Sequence, residues 1–154
     1  MARPRKNAVK TQGSLLAPDA VAEIPVEEQP YPLPDGWKWV RLSSLCSLRN
    51  GKAFKPSDWS DSGLPIVRIQ NLNNPDSKFN YYNGHIEDKF LIKSGDLLFA
   101  WSGTPGTSFG AHIWLGEKAV LNQHIFRMDF EEKIILKSFF RYSINCRLEE
   151  LIAK

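Results

Sequence analysis

The chain has 154 residues, of which 42% are hydrophobic and 24% charged, with a formal net charge of +3 and a pI near 8.9. That is room for one ordinary globular domain plus a tail. No apolar run approaches the ~20 residues a membrane span needs, and no apolar stretch follows Arg3, Arg5, Lys6 and Lys10, which excludes a secretory signal and points to the cytoplasm. The mild basic excess permits a nucleic-acid partner without demanding one.

Residues 1–33 read as a basic tail and an extended linker, because Pro25 to Pro34 (PVEEQPYPLP) carries four prolines, each fixing φ and removing a donor. The composition changes at Trp37, where closely spaced aromatics mark the start of a core, so the folded domain is expected over 34–154. Trp37 to Leu42 is strand-like, and Pro65 to Gln70 alternates as a half-buried strand should. Asp96 to Trp101 (DLLFAW) is a continuous apolar run, the pattern of a strand covered on both faces. Phe109 to Leu115 and Ala119 to Phe130 supply two or three further strands, separated by Gly, Asn and Pro turn signals. Leu136, Phe139, Phe140, Ile144, Leu148, Leu151 and Ile152 then follow helical spacing, which predicts one amphipathic helix. It has no C-cap signal, so the domain is expected to be C-terminally incomplete. The class is α+β: a β-rich domain with a twisted, mostly antiparallel sheet and a C-terminal amphipathic helix.

Catalytic signatures are scarce. There is no phosphate-binding loop, no GxGxxG, no GxSxG and no Asn/Asp-Pro-Pro-aromatic motif. His85, His112 and His124 are too scattered for zinc spacing, and Cys46 and Cys146 read as reduced, partly buried thiols. One pattern deserves weighing. Pro75-Asp76 followed by Glu87-Asp88-Lys89 spells the PD…ExK order of a metal-dependent nuclease, in which Asp76 and Glu87 would hold Mg²⁺ and Lys89 would sit by the attacking water. Both pieces lie in polar, turn-rich sequence, and so short a motif is common by chance. Asp96 follows Gly95 and is better read as closing a turn on backbone N–H groups than as orienting a catalytic His124.

Side chains able to read base edges are more plentiful. Arg68, Gln70, Asn71, Asn73 and Asn74 cluster on one strand and its loop, while Lys52, Lys55 and Ser57 flank Phe54 and Trp59. Ser102, Thr104, Thr107 and Ser108 crowd a Gly/Pro-rich loop that would offer N–H groups and hydroxyls to phosphates, and Asn122, Gln123 and His124 form a further polar cluster.

Four blocks, in order, carry a resemblance: Asn50 to Phe54 (NGKAF), Gly63 to Leu72 (GLPIVRIQNL), Ser94 to Thr104 (SGDLLFAWSGT) and Leu121 to Phe126 (LNQHIF), preceded by Pro30 to Leu42 (PYPLPDGWKWVRL). Together they resemble a target-recognition domain of type I restriction-modification specificity subunits. The resemblance implies a module without a catalytic site that reads one half of a split site in double-stranded DNA. It implies modification subunits that bring S-adenosylmethionine and methylate adenine, and a restriction/motor subunit that brings ATP hydrolysis, Mg²⁺ and cleavage. It implies no cofactor or metal on this chain, and allows self-association in place of a second domain. The shared blocks are scaffold on this view. Contact with DNA then falls to Lys52, Lys55, Ser57, Arg68, Asn71, Asn73, Ser102, Thr104, Thr107 and Gln123. The rival readings are the Asp76/Glu87/Lys89 nuclease and an inert, truncated β-rich fragment.

Overall fold

The computed structural model describes residues 21–74, 76–105 and 107–152. Eight strands form two four-stranded sheets. The first has the order β1 (Cys46–Asn50), β8 (Ile125–Phe130), β5 (Leu97–Ala100), β6 (Gly110–Ile113), antiparallel throughout. The second has the order β3 (Asn80–Tyr82), β2 (Leu64–Val67), β7 (Ala119–Leu121), β4 (Leu91–Ile92), in which only β2 and β7 run parallel. The sheets are thus mostly antiparallel, as the turn-separated short strands lead one to expect.

The continuous apolar run at 97–100 explains the layering. Side chains alternate across a strand, so Leu98 and Ala100 point one way and Leu97 and Phe99 the other. Leu98, Ala100 and Ile125 pack with Val67, Ile92, Ala119 and Leu121 of the second sheet. Leu97 and Phe99 pack on the opposite side with Met128 and with Phe140 and Ile144 of α3 (Lys137–Asn145). The first sheet is therefore the middle layer, with the second sheet on one face and the C-terminal helix on the other. Asp96 closes the turn before β5 as expected, its Oδ2 accepting the Lys93 N–H at 2.9 Å while Gly95 takes φ +91°.

Three expectations need correction. The stretch 37–42 is not a sheet strand; it makes one bridge, Glu23 to Val40, before α1 (Leu42–Leu45). The alternation from Pro65 to Gln70 stops at Val67, and Ile69–Asn73 is a short helix, α2. The single C-terminal helix is two, α3 and α4 (Leu148–Ile152), parted at Cys146 and Arg147. The expected tail falls largely outside the described residues, but the linker portion is docked. Ile24 N–H donates to Trp39 O at 2.8 Å, Tyr31 packs edge-on against Trp39 at 5.0 Å, and the Arg147 guanidinium lies 4.8 Å from the Trp39 ring.

Both cysteines are free; Cys146 is exposed rather than partly buried. Burial, and then the nearby Asp129 carboxylate, push the Cys46 thiol up to about 11, which leaves it unreactive near neutral pH. No helix among the described residues is long and apolar enough to cross a membrane.

Two outcomes follow from the packing. Leu98 has no exposed surface at the junction of the two sheets, so Leu98→Ala should cost ~2–5 kcal/mol of unfolding free energy in urea. A loss under about 1 kcal/mol would mean that the sheets do not share this core. His112 on β6 has its pKa lowered by burial, which outweighs its 2.9 Å contact with Ser108 O. The unfolded chain then binds this proton at higher pH than the folded one, so stability is full above ~6.5 and falls as pH drops from there through the folded pKa. Urea midpoints measured at pH 7.5 and 5.5 should converge in His112→Gln relative to the parent chain.

Candidate nucleic-acid interface

The strand registers bring one set of loops to one end of the molecule. Asn50 pairs with Phe126, Ala100 with Ile125 and with Gly110, and Val67 with Leu121. The C-terminal ends of β1, β2, β5 and β7 therefore meet the start of β8. Lys52, Arg68, Ser102, Thr104, Thr107 and Gln123, distant in sequence, all follow these strand ends.

The chain passes from β7 to β8, and so from one sheet to the other, through Asn122, Gln123 and His124 alone. Asn122 N–H donates to Val67 O at 3.0 Å, and Lys52 N–H donates to Leu121 O at 2.8 Å. A Cβ on Gly51 would stand 2.1 Å from Asn122 O. Only glycine lets the end of β1 approach this crossing so closely.

Trp101 clamps the crossing from the other side. Its backbone N–H donates to His124 O at 3.3 Å, its Nε1 donates to Gln123 O at 3.2 Å, and its ring lies 5.2 Å from that of His124. The indole is still 41% exposed. Gln123 Nε2 lies 3.4 Å from His124 Nε2, while Gln123 Oε1 and His124 Nδ1 are shut off from water without a partner.

Arg68 ends β2. Its N–H donates to Asn71 Oδ1 at 3.0 Å, and its guanidinium sits 5.4 Å from the Trp59 ring centroid. Lys52 Nζ lies 5.9 and 5.8 Å from the Phe54 and Tyr82 rings. Among the described residues, neither Lys52, Lys55 nor Arg68 pairs with a carboxylate. Cations without a carboxylate partner beside aromatic rings, of which Trp59 is exposed and Phe54 and Tyr82 half-buried, suit an anionic, π-faced ligand.

Not every expected contact residue stands free. Asn71 is 3% exposed, and its amide is spent on Arg68 N–H and, through Nδ2, on Ser77 O at 3.3 Å. It holds the backbone and has no edge left for a base. Asn73 is exposed at the end of α2, and Lys55 and Ser57 are exposed at the 3₁₀ turn Pro56–Asp58. The loop after Ser102 is no phosphate cradle, because it closes on itself. Thr104 O accepts the N–H groups of Thr107, Ser108 and Phe109 and the Thr107 hydroxyl, and Thr104 N–H donates to Ser108 Oγ. Gly103, at φ +115°, permits that closure, since a Cβ there would meet Ser108 Oγ at 2.3 Å. Sequence reasoning missed Trp59 and Trp101 as site residues. A period-two pattern ranks an aromatic as core, and nothing local marks a ring as a prop for a distant side chain.

The nuclease constellation is not assembled. Asp76 leads into β3 and Glu87 into β4, the opposite edges of one sheet. Glu87 and Lys89 are paired at 2.7 Å on the surface, and that hydrogen bond from Lys89 chiefly holds the Glu87 carboxyl below its usual range. Pro75 lies outside the described residues. No group of three metal-ligating side chains occurs among the described residues.

A sequence model described as the type I restriction modification DNA specificity domain matches residues 34–153. The chain belongs to this family. Among specificity-domain relatives, the type I restriction enzyme EcoBI specificity subunit of Escherichia coli is 30% identical over 112 residues, covering 71% of this chain and 23% of that protein. The EcoAI specificity subunit of Escherichia coli is 35% identical over 72 residues, 47% of this chain and 12% of that protein. The MjaVIII specificity subunit of Methanocaldococcus jannaschii is 26% identical over 127 residues, 71% of this chain and 28% of that protein. The chain thus spans about a quarter or less of the length of these curated relatives. The crystal structure of the HsdS subunit from Thermoanaerobacter tengcongensis shares the fold, with a TM-score of 0.54 at 17% identity, over 75% of this chain and 29% of that one.

If this specificity domain depends on the crossing as described, Gly51→Ala must displace Asn122 or the end of β1. It should lower unfolding free energy by about 1–3 kcal/mol, read by urea denaturation. An unchanged midpoint would show that the approach is not tight.

Proposed function

We propose that this chain is the DNA-reading part of a type I restriction-modification specificity subunit, with no catalytic centre of its own. The observation that carries the reading, beside the family, is the gathering of Lys52, Arg68, Gln123 and the exposed Trp59 and Trp101 at one end of a rigid two-sheet scaffold. Loops on a fixed scaffold are where recognition surfaces form. Lysines and the Thr104 and Ser57 hydroxyls would set the register on phosphate, and Arg68 and Asn73 would reach base edges. Modification subunits would supply S-adenosylmethionine and methylate adenine, and a restriction/motor subunit would supply ATP hydrolysis and Mg²⁺-dependent cleavage. A second recognition domain, or a second copy of this one, would read the other half-site.

Selection of bound duplexes from a randomised pool, by the whole chain, tests the reading. It should enrich one short motif, and log K should fall linearly with log salt by ~0.9 per phosphate contacted. A pool that emerges unenriched, with no salt-dependent binding, would sink it. The same protein incubated with supercoiled plasmid over a range of Mg²⁺ is expected to leave it intact; nicking that tracks Glu87→Gln would revive the nuclease reading.

A further inference from the structure

Arg68 is held at its root and at its tip, yet no carboxylate among the described residues receives its charge. At the root, Val67 has no exposed surface, its carbonyl accepts Asn122 N–H, and the Arg68 N–H is fixed by the buried Asn71 amide. At the tip, the guanidinium rests 5.4 Å from the Trp59 ring. Trp59 in turn is fixed by its neighbour: Ser60 N–H donates to Tyr81 O at 3.0 Å, which ties this segment to β3. Of the other described arginines, Arg41, Arg49, Arg127 and Arg147 pair with carboxylates, and Arg141, exposed on α3, does not. Nor does Arg68, and its Nε is withdrawn from water without an acceptor. Its terminal nitrogens are not buried in this way and make no hydrogen bond among the described residues, which leaves them to an acceptor from outside the chain.

The contact with Trp59 bears on the form of that acceptor. A guanidinium is a planar fork of donors. A ring 5.4 Å away restricts the directions open to the fork. A phosphate can be approached by a cation from many directions. A base edge presents two acceptors in one plane, and guanine O6 and N7 are the pair that matches an arginine fork. A restricted fork favours the base edge.

We propose that Arg68 reads a guanine in the recognised half-site, and that Trp59 is the positioning residue that restricts the directions open to its guanidinium. This rests on the DNA-reading function proposed above. The test uses the whole chain and its enriched duplex, with Arg68→Lys, Arg68→Ala, Trp59→Ala and Trp59→Phe; the last two replace a side chain that is already 43% exposed. The selected motif should contain a guanine at which Arg68→Lys loses discrimination by roughly 5- to 150-fold. Duplexes altered at that base should bind the variant as they bind the parent, with an unchanged salt slope. Trp59→Ala should lose discrimination at the same base and no other, and Trp59→Phe should restore it. If Arg68→Ala instead weakens all duplexes alike and lowers the salt slope by about one, Arg68 holds phosphate and the inference is overturned while DNA reading stands. If Trp59→Ala leaves the guanine preference intact, the positioning role is overturned alone. A parent chain that enriches no motif overturns the function itself, a result distinct from both.

Discussion

Three residues, Asn122 to His124, carry the chain from one sheet to the other, and the rest of the molecule is arranged around that crossing. Such a short connection leaves no freedom for the sheets to shift against each other at this end. The β2–β7 ladder reaches it through Asn122 N–H, β1 through Gly51 and Lys52, and β5 through Trp101. Lys52, Arg68 and Gln123 are each attached within a residue of one of these anchors. That part of the candidate surface is therefore held by backbone, which is the stiffest support a fold can offer to a side chain.

The same constraint explains why polar atoms are left over here. Of the four buried polar side-chain atoms without a partner among the described residues, Gln123 Oε1, His124 Nδ1 and Arg68 Nε sit beside the crossing and Asn80 Nδ2 lies away from it on β3. Satisfying them internally would require acceptors and donors from loops that are already closed, such as the 104–109 loop around Thr104 O. A scaffold that fixes its loops so firmly cannot also supply every polar group it covers with a partner.

Much of the fold was readable in the residues. The run from Leu97 to Ala100 announced a strand covered on both faces, because a strand with a wet side cannot be apolar at consecutive positions. The helix at Ile69 was not readable from alternation, since Arg68 to Gln70 continues the strand pattern; what ends the strand is Asn71 capping backwards onto Arg68, an interaction whose value depends on burial. The break between α3 and α4 was hidden because the apolar spacing runs through Cys146 and Arg147 unaltered, and the break is set instead by Arg147 reaching Trp39 and Tyr31. At the interface, polar loop residues announced themselves by type. Trp59 and Trp101 did not, because their role lies in contacts with Arg68, Gln123 and His124 that only the folded chain creates.

The position of β1 bears on how the molecule comes to exist. Among the described residues this strand pairs with β8 alone, from Cys46 opposite Phe130 to Asn50 opposite Phe126. During synthesis it is made before the other strands and its partner after them, so it waits for the whole of the intervening sequence. The parallel β2–β7 pair imposes the same delay on the other sheet. Pairings so distant in sequence close slowly and late, so neither sheet can be completed before β7 and β8 have been made. Until then the earlier strands depend on whatever keeps nascent apolar segments apart.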